Sequence, residues 1–118
     1  TIVVLKEKII GKPIDTEKAR QILRQLSGQE HKVITGVSIV HSEIFSAASI
    51  SRVRIKNLTS NEINSYVKSG EPMDKAGAYA IQGNGSFMVE SYDGSYSNIV
   101  GLPIDLLKGL LKNQLDFI

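Results

Sequence analysis

Extended runs of β-branched apolar residues alternate in this chain with segments whose apolar residues recur three and four positions apart, and that alternation restricts it to a sheet with helices packed on it. Thr1-Ile2-Val3-Val4-Leu5 is the first extended run. Lys6-Glu7-Lys8 turns the chain, Ile9-Ile10 resumes the run and Gly11-Lys12-Pro13 breaks it, so residues 1–10 are expected to form a hairpin. A strand buried on both faces needs neighbours for its backbone groups, and a chain rarely opens with one, so a segment preceding Thr1 is expected. A helix follows. Asp15 or Thr16 caps it, Ala19, Ile22, Leu23 and Leu26 share one face, and Gly28 supplies a left-handed stop.

Val33, Ile34, Val37 and Ile39 mark a strand over residues 32–39, and a second run over about 49–55 is expected to pair with it. Thr59-Ser60-Asn61-Glu62 is a capping box, in which the hydroxyl and the carboxylate each accept from a free backbone amide at a helix start. Ile63, Tyr66 and Val67 then define that helix's buried face, and Gly70 ends it. Residues 71–77 read as a loop. Strands are expected over 78–81 and 87–92, joined by a hairpin turn at Gly83-Asn84-Gly85, with a further turn at Asp93-Gly94. The last element is a helix over about 104–115, with Pro103 at its start and Leu106, Leu107, Leu110 and Leu111 as its apolar stripe. The fold class is mixed α/β.

Packing alone must hold these elements together, because the 118 residues include no cysteine, which excludes a disulfide framework, a thiolate zinc site and a cysteine nucleophile. A chain of this length buries roughly two-thirds of its unfolded surface, enough for one core. Fourteen basic against twelve acidic residues leave a net charge of +2, scattered along the chain and accompanied by four Tyr and three Phe. That pattern argues against a nucleic-acid polymer or a membrane surface as partner. Lys6, Lys8, Asp15, Asp105 and Lys108 interrupt every stretch that approaches the roughly 18–20 apolar residues of a membrane span. No export signal is legible, so a cytoplasmic location is the expectation.

Few residues stand out chemically. His31 and His41 bracket a strand without an acidic or hydroxyl partner at a recognisable spacing, and read as surface residues. Asp15 and Glu17 flank a helix start, where they complement the helix dipole. Gly83-Asn84-Gly85 resembles a phosphate loop only superficially, lacking the following helix and the Lys-Ser or Lys-Thr pair. The segment Glu71-Pro72-Met73-Asp74-Lys75-Ala76-Gly77 differs, since it crowds two carboxylates and a lysine into one loop, and Lys12 lies on another. Two lysines on separate loops could converge on a polyphosphate, or could be solvated surface charges; spacing does not decide between these.

The string DKAGAYAIQG at 74–83, preceded by SGEP at 69–72 and followed by GSYSNIVGLP at 94–103, resembles the Maf family of nucleoside-triphosphate pyrophosphatases, the septum-formation-inhibitor-like proteins. The likeness extends through TIVVL at 1–5, GKP at 11–13, LSGQEHKVITGV at 26–37 and EINSYVKSGEP at 62–72, in the family's order. It implies an elongated mixed β-sheet flanked by helices, of the inosine-triphosphate-pyrophosphatase-like kind, with the substrate in a cleft. Residues 1–118 would be the C-terminal portion of a single Maf-like domain, lacking its N-terminal part.

The resemblance further implies hydrolysis of a nucleoside triphosphate to the monophosphate and pyrophosphate, assisted by Mg²⁺ or Mn²⁺. Lys12 and Lys75 would contact phosphate as catalytic groups, and Thr1 and Gln82 would help select the base. Ile81-Gln82-Gly83 is similar to the subgroup acting on dTTP and UTP; an amide both donates to and accepts from a pyrimidine edge, which a carboxylate does not. The family's proton-accepting Asp is expected immediately before Thr1, and its Ser-Pro-Arg-Arg phosphate-binding segment further upstream. Without them the 118-residue chain alone is expected to be inactive. The alternative is a non-catalytic nucleotide-binding or dimerising member of the same family, with a homodimer as the assembly open to either.

Overall fold

Val3 and Leu5 point to one side of the first strand and find the core there, which fixes the orientation of everything that follows. The computed structural model describes residues 1–40 and 43–115. Strand β1 (Ile2–Leu5) and strand β2 (Lys8–Ile10) form the expected hairpin, closed by Lys6 and Glu7, both at positive φ. Helix α1 (Thr16–Leu26) starts at Asp15, whose carboxylate accepts from the Lys18 N–H at 2.7 Å, and buries Ala19, Ile22, Leu23 and Leu26 as the spacing predicts. Each large side chain in that set contributes about 1.5–3 kcal/mol of apolar burial.

Strands β3 (Glu30–Val40) and β4 (Ile44–Ile55) pair antiparallel from Glu30 opposite Arg54 to Val40 opposite Ile44, a longer ribbon than the expected 32–39 and 49–55. The extra length includes Ser46, Ala47 and Ala48, which have little strand propensity of their own; the long ladder carries them, and the Ser38 and Ser46 hydroxyls meet across it at 2.8 Å. Burial alternates strictly along both strands, so the helices cover one face and the other faces solvent. Helix α2 (Ser60–Lys68) has its capping box in place, with reciprocal Thr59 and Glu62 bonds of 3.1 and 3.0 Å, and buries Ile63, Tyr66 and Val67.

Between residues 71 and 88 the structure corrects the sequence reading. No hairpin forms at Gly83-Asn84-Gly85 and residues 78–81 are not a strand; short 3-10 turns occupy Glu71–Asp74, Ala76–Ala78 and Gly83–Met88, and strand β5 begins only at Val89, running to Asp93. Ala78, Tyr79, Ile81 and Met88 are buried, which accounts for the strand-like pattern. A buried loop needs the same apolar residues as a strand, but here the amide groups of residues 80, 84 and 85 go to side chains rather than to a ladder.

The five strands lie in the order β2-β1-β3-β4-β5, every ladder among the described residues being antiparallel. A short helix α3 (Tyr96–Val100), not expected from the sequence, follows the Gly94 turn, and helix α4 (Ile104–Leu115) matches its expected span. The stripe Leu106, Leu107, Leu110 and Leu111 is half-buried. The molecule is elongated, 51 × 26 × 26 Å, and among the described residues no helix is long and apolar enough to cross a membrane.

His31 overturns its surface assignment. It is 1% exposed, on the inner face of β3, and its Nε2 is joined to the Tyr79 hydroxyl at 2.7 Å. Val33 and Thr35, the next two alternate positions, share that face with it, so the period of the strand rather than the residue type placed it inside. His41 lies outside the described residues.

Candidate active site

Lys12 and Lys75 arrive from loops 63 residues apart, and one backbone bond brings those loops together: the Gly77 N–H donates to the Gly11 carbonyl at 3.2 Å. Gly77 has a φ of 75°, and a Cβ there would stand 3.0 Å from a methyl of Val3, so the Lys75-Ala76-Gly77 segment lies directly against β1. Behind it Ala78 is also left-handed, with a φ of 60°, fully buried and bonded through its N–H to the Lys75 carbonyl. Two consecutive left-handed residues reverse the chain and leave the Lys75 side chain at the mouth of a cleft of about 550 Å³.

That cleft is lined by all four residues singled out by resemblance, Thr1, Lys12, Lys75 and Gln82. Val3, Val33, Tyr79 and Ile81 line its apolar part. The opposite wall is Ile99, Val100 and Gly101, from α3 and its stop, which sequence reasoning did not assign to the site. The string GSYSNIVGLP was legible as a motif without a role; Asn98 supplies one. It is fully buried, and its amide nitrogen donates to the Val33 and Ser49 carbonyls at 3.0 and 3.2 Å and to the Ser51 hydroxyl at 3.0 Å, fastening the wall to β3 and β4.

Thr1 is tied into the same corner. Its hydroxyl is 2.8 Å from that of Thr35 and donates to the Gly101 carbonyl at 3.3 Å, so it presents an oriented polar group rather than a frayed end. Gln82 is exposed, with no side-chain partner among the described residues, and free to meet a ligand. Tyr79 beneath it is buried, which raises its phenol above the ordinary range. Burial likewise pushes the Tyr66 phenol up, opposed by the Ala80 N–H and reinforced by Glu71.

Two carboxylates line the cleft, and they are in different states. Glu71 accepts from the Tyr66 hydroxyl at 2.8 Å and from the backbone N–H groups of Gly85 and Asn84 at 3.1 and 3.2 Å. Asp74 is exposed and stands 3.5 Å from the Lys75 ammonium, a pairing worth little at such exposure. Because its donors already surround Glu71, Asp74 is the one cleft carboxylate open to a cation, and no cluster of three His, Asp or Glu exists among the described residues. These residues therefore do not form a cage for the expected Mg²⁺ or Mn²⁺.

The fold and site define an α/β protein in which an antiparallel sheet carries, against β1 and β3, a cleft with an apolar part and with two lysines, two carboxylates and two uncharged polar side chains in its lining. The chain belongs to the Maf-like protein family, which matches residues 1–114. It is 46% identical over 113 residues to a protein of Halalkalibacterium halodurans named dTTP/UTP pyrophosphatase, covering 95% of this chain and 60% of that relative. A Clostridioides difficile protein of the same name is 48% identical over 116 residues, 95% of this chain and 59% of its own length. In Geobacter sulfurreducens the corresponding figures are 50% over 107 residues, 88% and 56%. The chain thus spans less than two-thirds of the length of these relatives.

Proposed function

We propose that the protein hydrolyses dTTP and UTP between the α and β phosphates, releasing the monophosphate and pyrophosphate, with residues 1–118 acting as part of one Maf-like domain. The observation that carries this reading is the convergence of Lys12, Lys75, Thr1 and Gln82 on one cleft, although they are dispersed over 82 positions of sequence. The shared name of the relatives, dTTP/UTP pyrophosphatase, supports the same substrate class.

The chemistry follows from charge. Water attacks an α-phosphorus ringed by anionic oxygens, and pyrophosphate leaves carrying the electron pair of the broken P–O bond. Lys12 and Lys75 neutralise charge that grows on the bridging and terminal oxygens as that bond breaks. Their ammonium groups act as compact point charges on flexible stems, suited to a triphosphate that adjusts as it reacts. Gln82 and Thr1 offer donors and acceptors to the base edge, while Ile81 and Val33 cover its apolar faces. The attacking water must also lose its proton to a general base, a role for which a carboxylate is the suited group.

The test is product analysis on the full-length protein supplied with dTTP, UTP and a divalent metal salt. Equal amounts of monophosphate and pyrophosphate are expected. Diphosphate with orthophosphate would contradict the cleavage site, and binding of dTTP without turnover would support the non-catalytic nucleotide-binding alternative.

A further inference from the structure

Glu71 was legible only as one of two loop carboxylates, yet it is the most densely bonded side chain of the cleft. Its Oε1 accepts from the Tyr66 hydroxyl and the Gly85 N–H, and its Oε2 from the Asn84 N–H. The same Tyr66 hydroxyl accepts from the Ala80 N–H at 3.0 Å. The segment 81–83 is therefore pinned at both ends to one polar knot, through residue 80 on one side and residues 84 and 85 on the other. Gln82 sits at its centre, two positions from each anchor.

The glycines fit this arrangement. A Cβ on Gly83 would stand 3.2 Å from Glu71 Oε2, and one on Gly85 would meet the Tyr66 hydroxyl at 2.7 Å and collide with the Ala80 carbonyl. Successive backbone N–H groups directed at one anion form a nest of the kind that elsewhere holds phosphate. Gly83-Asn84-Gly85 thus holds an anion after all, and the anion is the protein's own carboxylate.

We infer that Glu71 is a positioning residue, whose carboxylate fills the Asn84 and Gly85 amide nest and thereby sets where Gln82 stands in the cleft. The inference rests on the proposed nucleotide reading for its kinetic consequence alone; the tether itself is independent of what binds. Losing the carboxylate frees the 80–85 segment, so Gln82 no longer meets a base edge in one geometry, and discrimination between bases falls before folding does.

The experiment compares Glu71→Ala and Glu71→Gln with the parent in the full-length protein, with and without added formate. Amide hydrogen exchange at residues 80, 84 and 85 reads the tether, and the kcat/KM ratio for dTTP over GTP reads the position of Gln82. In Glu71→Ala, exchange at the three amides is expected to quicken and the ratio to fall about tenfold. Formate should restore both, because a small carboxylate refills the nest, and Glu71→Gln should lie between, keeping one acceptor oxygen. Exchange unchanged in Glu71→Ala overturns the inference, as does faster exchange with an unaltered ratio. A loss of stability that formate does not reverse also overturns it, showing Glu71 to be part of the scaffold only. A parent that turns over neither nucleotide defeats the functional reading instead, while exchange and its reversal by formate still decide the tether.

Discussion

Gly77 and Gly11 are joined by a backbone hydrogen bond of 3.2 Å, and through it the two loops that carry Lys75 and Lys12 become one edge of the cleft. Neither glycine carries chemistry. Their bond brings two lysines remote in sequence to the lining of one cleft.

Gly77→Ala tests that coupling. The substitution puts a Cβ into a left-handed residue and within 3.0 Å of Val3, so a loss of about 1–3 kcal/mol in stability is expected. Urea denaturation should show it as a lower midpoint. Affinity for a non-hydrolysable dTTP analogue should also fall, and an unchanged affinity would show that the two lysines do not depend on this contact.

Removing Asn98 should act on the other wall. Asn98→Ala leaves the Val33 and Ser49 carbonyls and the Ser51 hydroxyl without their shared donor in a fully buried place, at a cost of about 1–3 kcal/mol. Thermal unfolding checks the stability. KM for dTTP should rise as well, because Ile99, Val100 and Gly101 are released with it.

How much of this was legible follows a physical line. The capping box at Thr59, the apolar face of α1 and the two-residue hairpin at Lys6-Glu7 are written in local sequence, because the forces that make them act within four residues. The 78–85 stretch was misread because the amides of residues 80, 84 and 85 are satisfied by Glu71 and Tyr66, side chains of the preceding turn and helix, and no local pattern announces that. His31 was misplaced for a related reason: its partner Tyr79 lies 48 residues away. The cleft residues came from resemblance, since spacing alone offered two lysines and no reason to join them. The α3 wall escaped notice because a five-residue helix is too short to show a period.

Burial depresses His31 from 6.5 to about 4, which makes stability depend on pH. Between those two values the unfolded chain binds a proton that the folded chain, with His31 facing Tyr79, excludes. The stabilisation is thus fully present above 6.5 and is lost as pH falls toward 4, by up to about 1.4 kcal/mol per pH unit. Urea midpoints followed downward from neutral pH should drop more steeply for the parent than for His31→Gln. Parallel slopes would show that His31 stays hydrated.

Under the proposed function, base choice falls to Gln82. A carboxylate at that place loses the donor that a pyrimidine carbonyl needs, and one unpaired buried polar group costs about 1–3 kcal/mol, or tenfold and more in discrimination. Gln82→Glu should therefore lower the ratio of kcat/KM for dTTP to that for GTP. An unchanged ratio would leave Gln82 as a loop residue without a reading role.

Whether Lys12 and Lys75 serve one phosphate site is decided by the steady-state rate of pyrophosphate release from dTTP in the full-length protein and its Lys12→Ala and Lys75→Ala variants. Both side chains are on loops at the cleft mouth, so folding should survive. With a shared phosphate site, kcat/KM falls by on the order of a hundredfold in each variant, the loss of one preorganised charge at the transition state. Turnover within about threefold of the parent in both variants would contradict it.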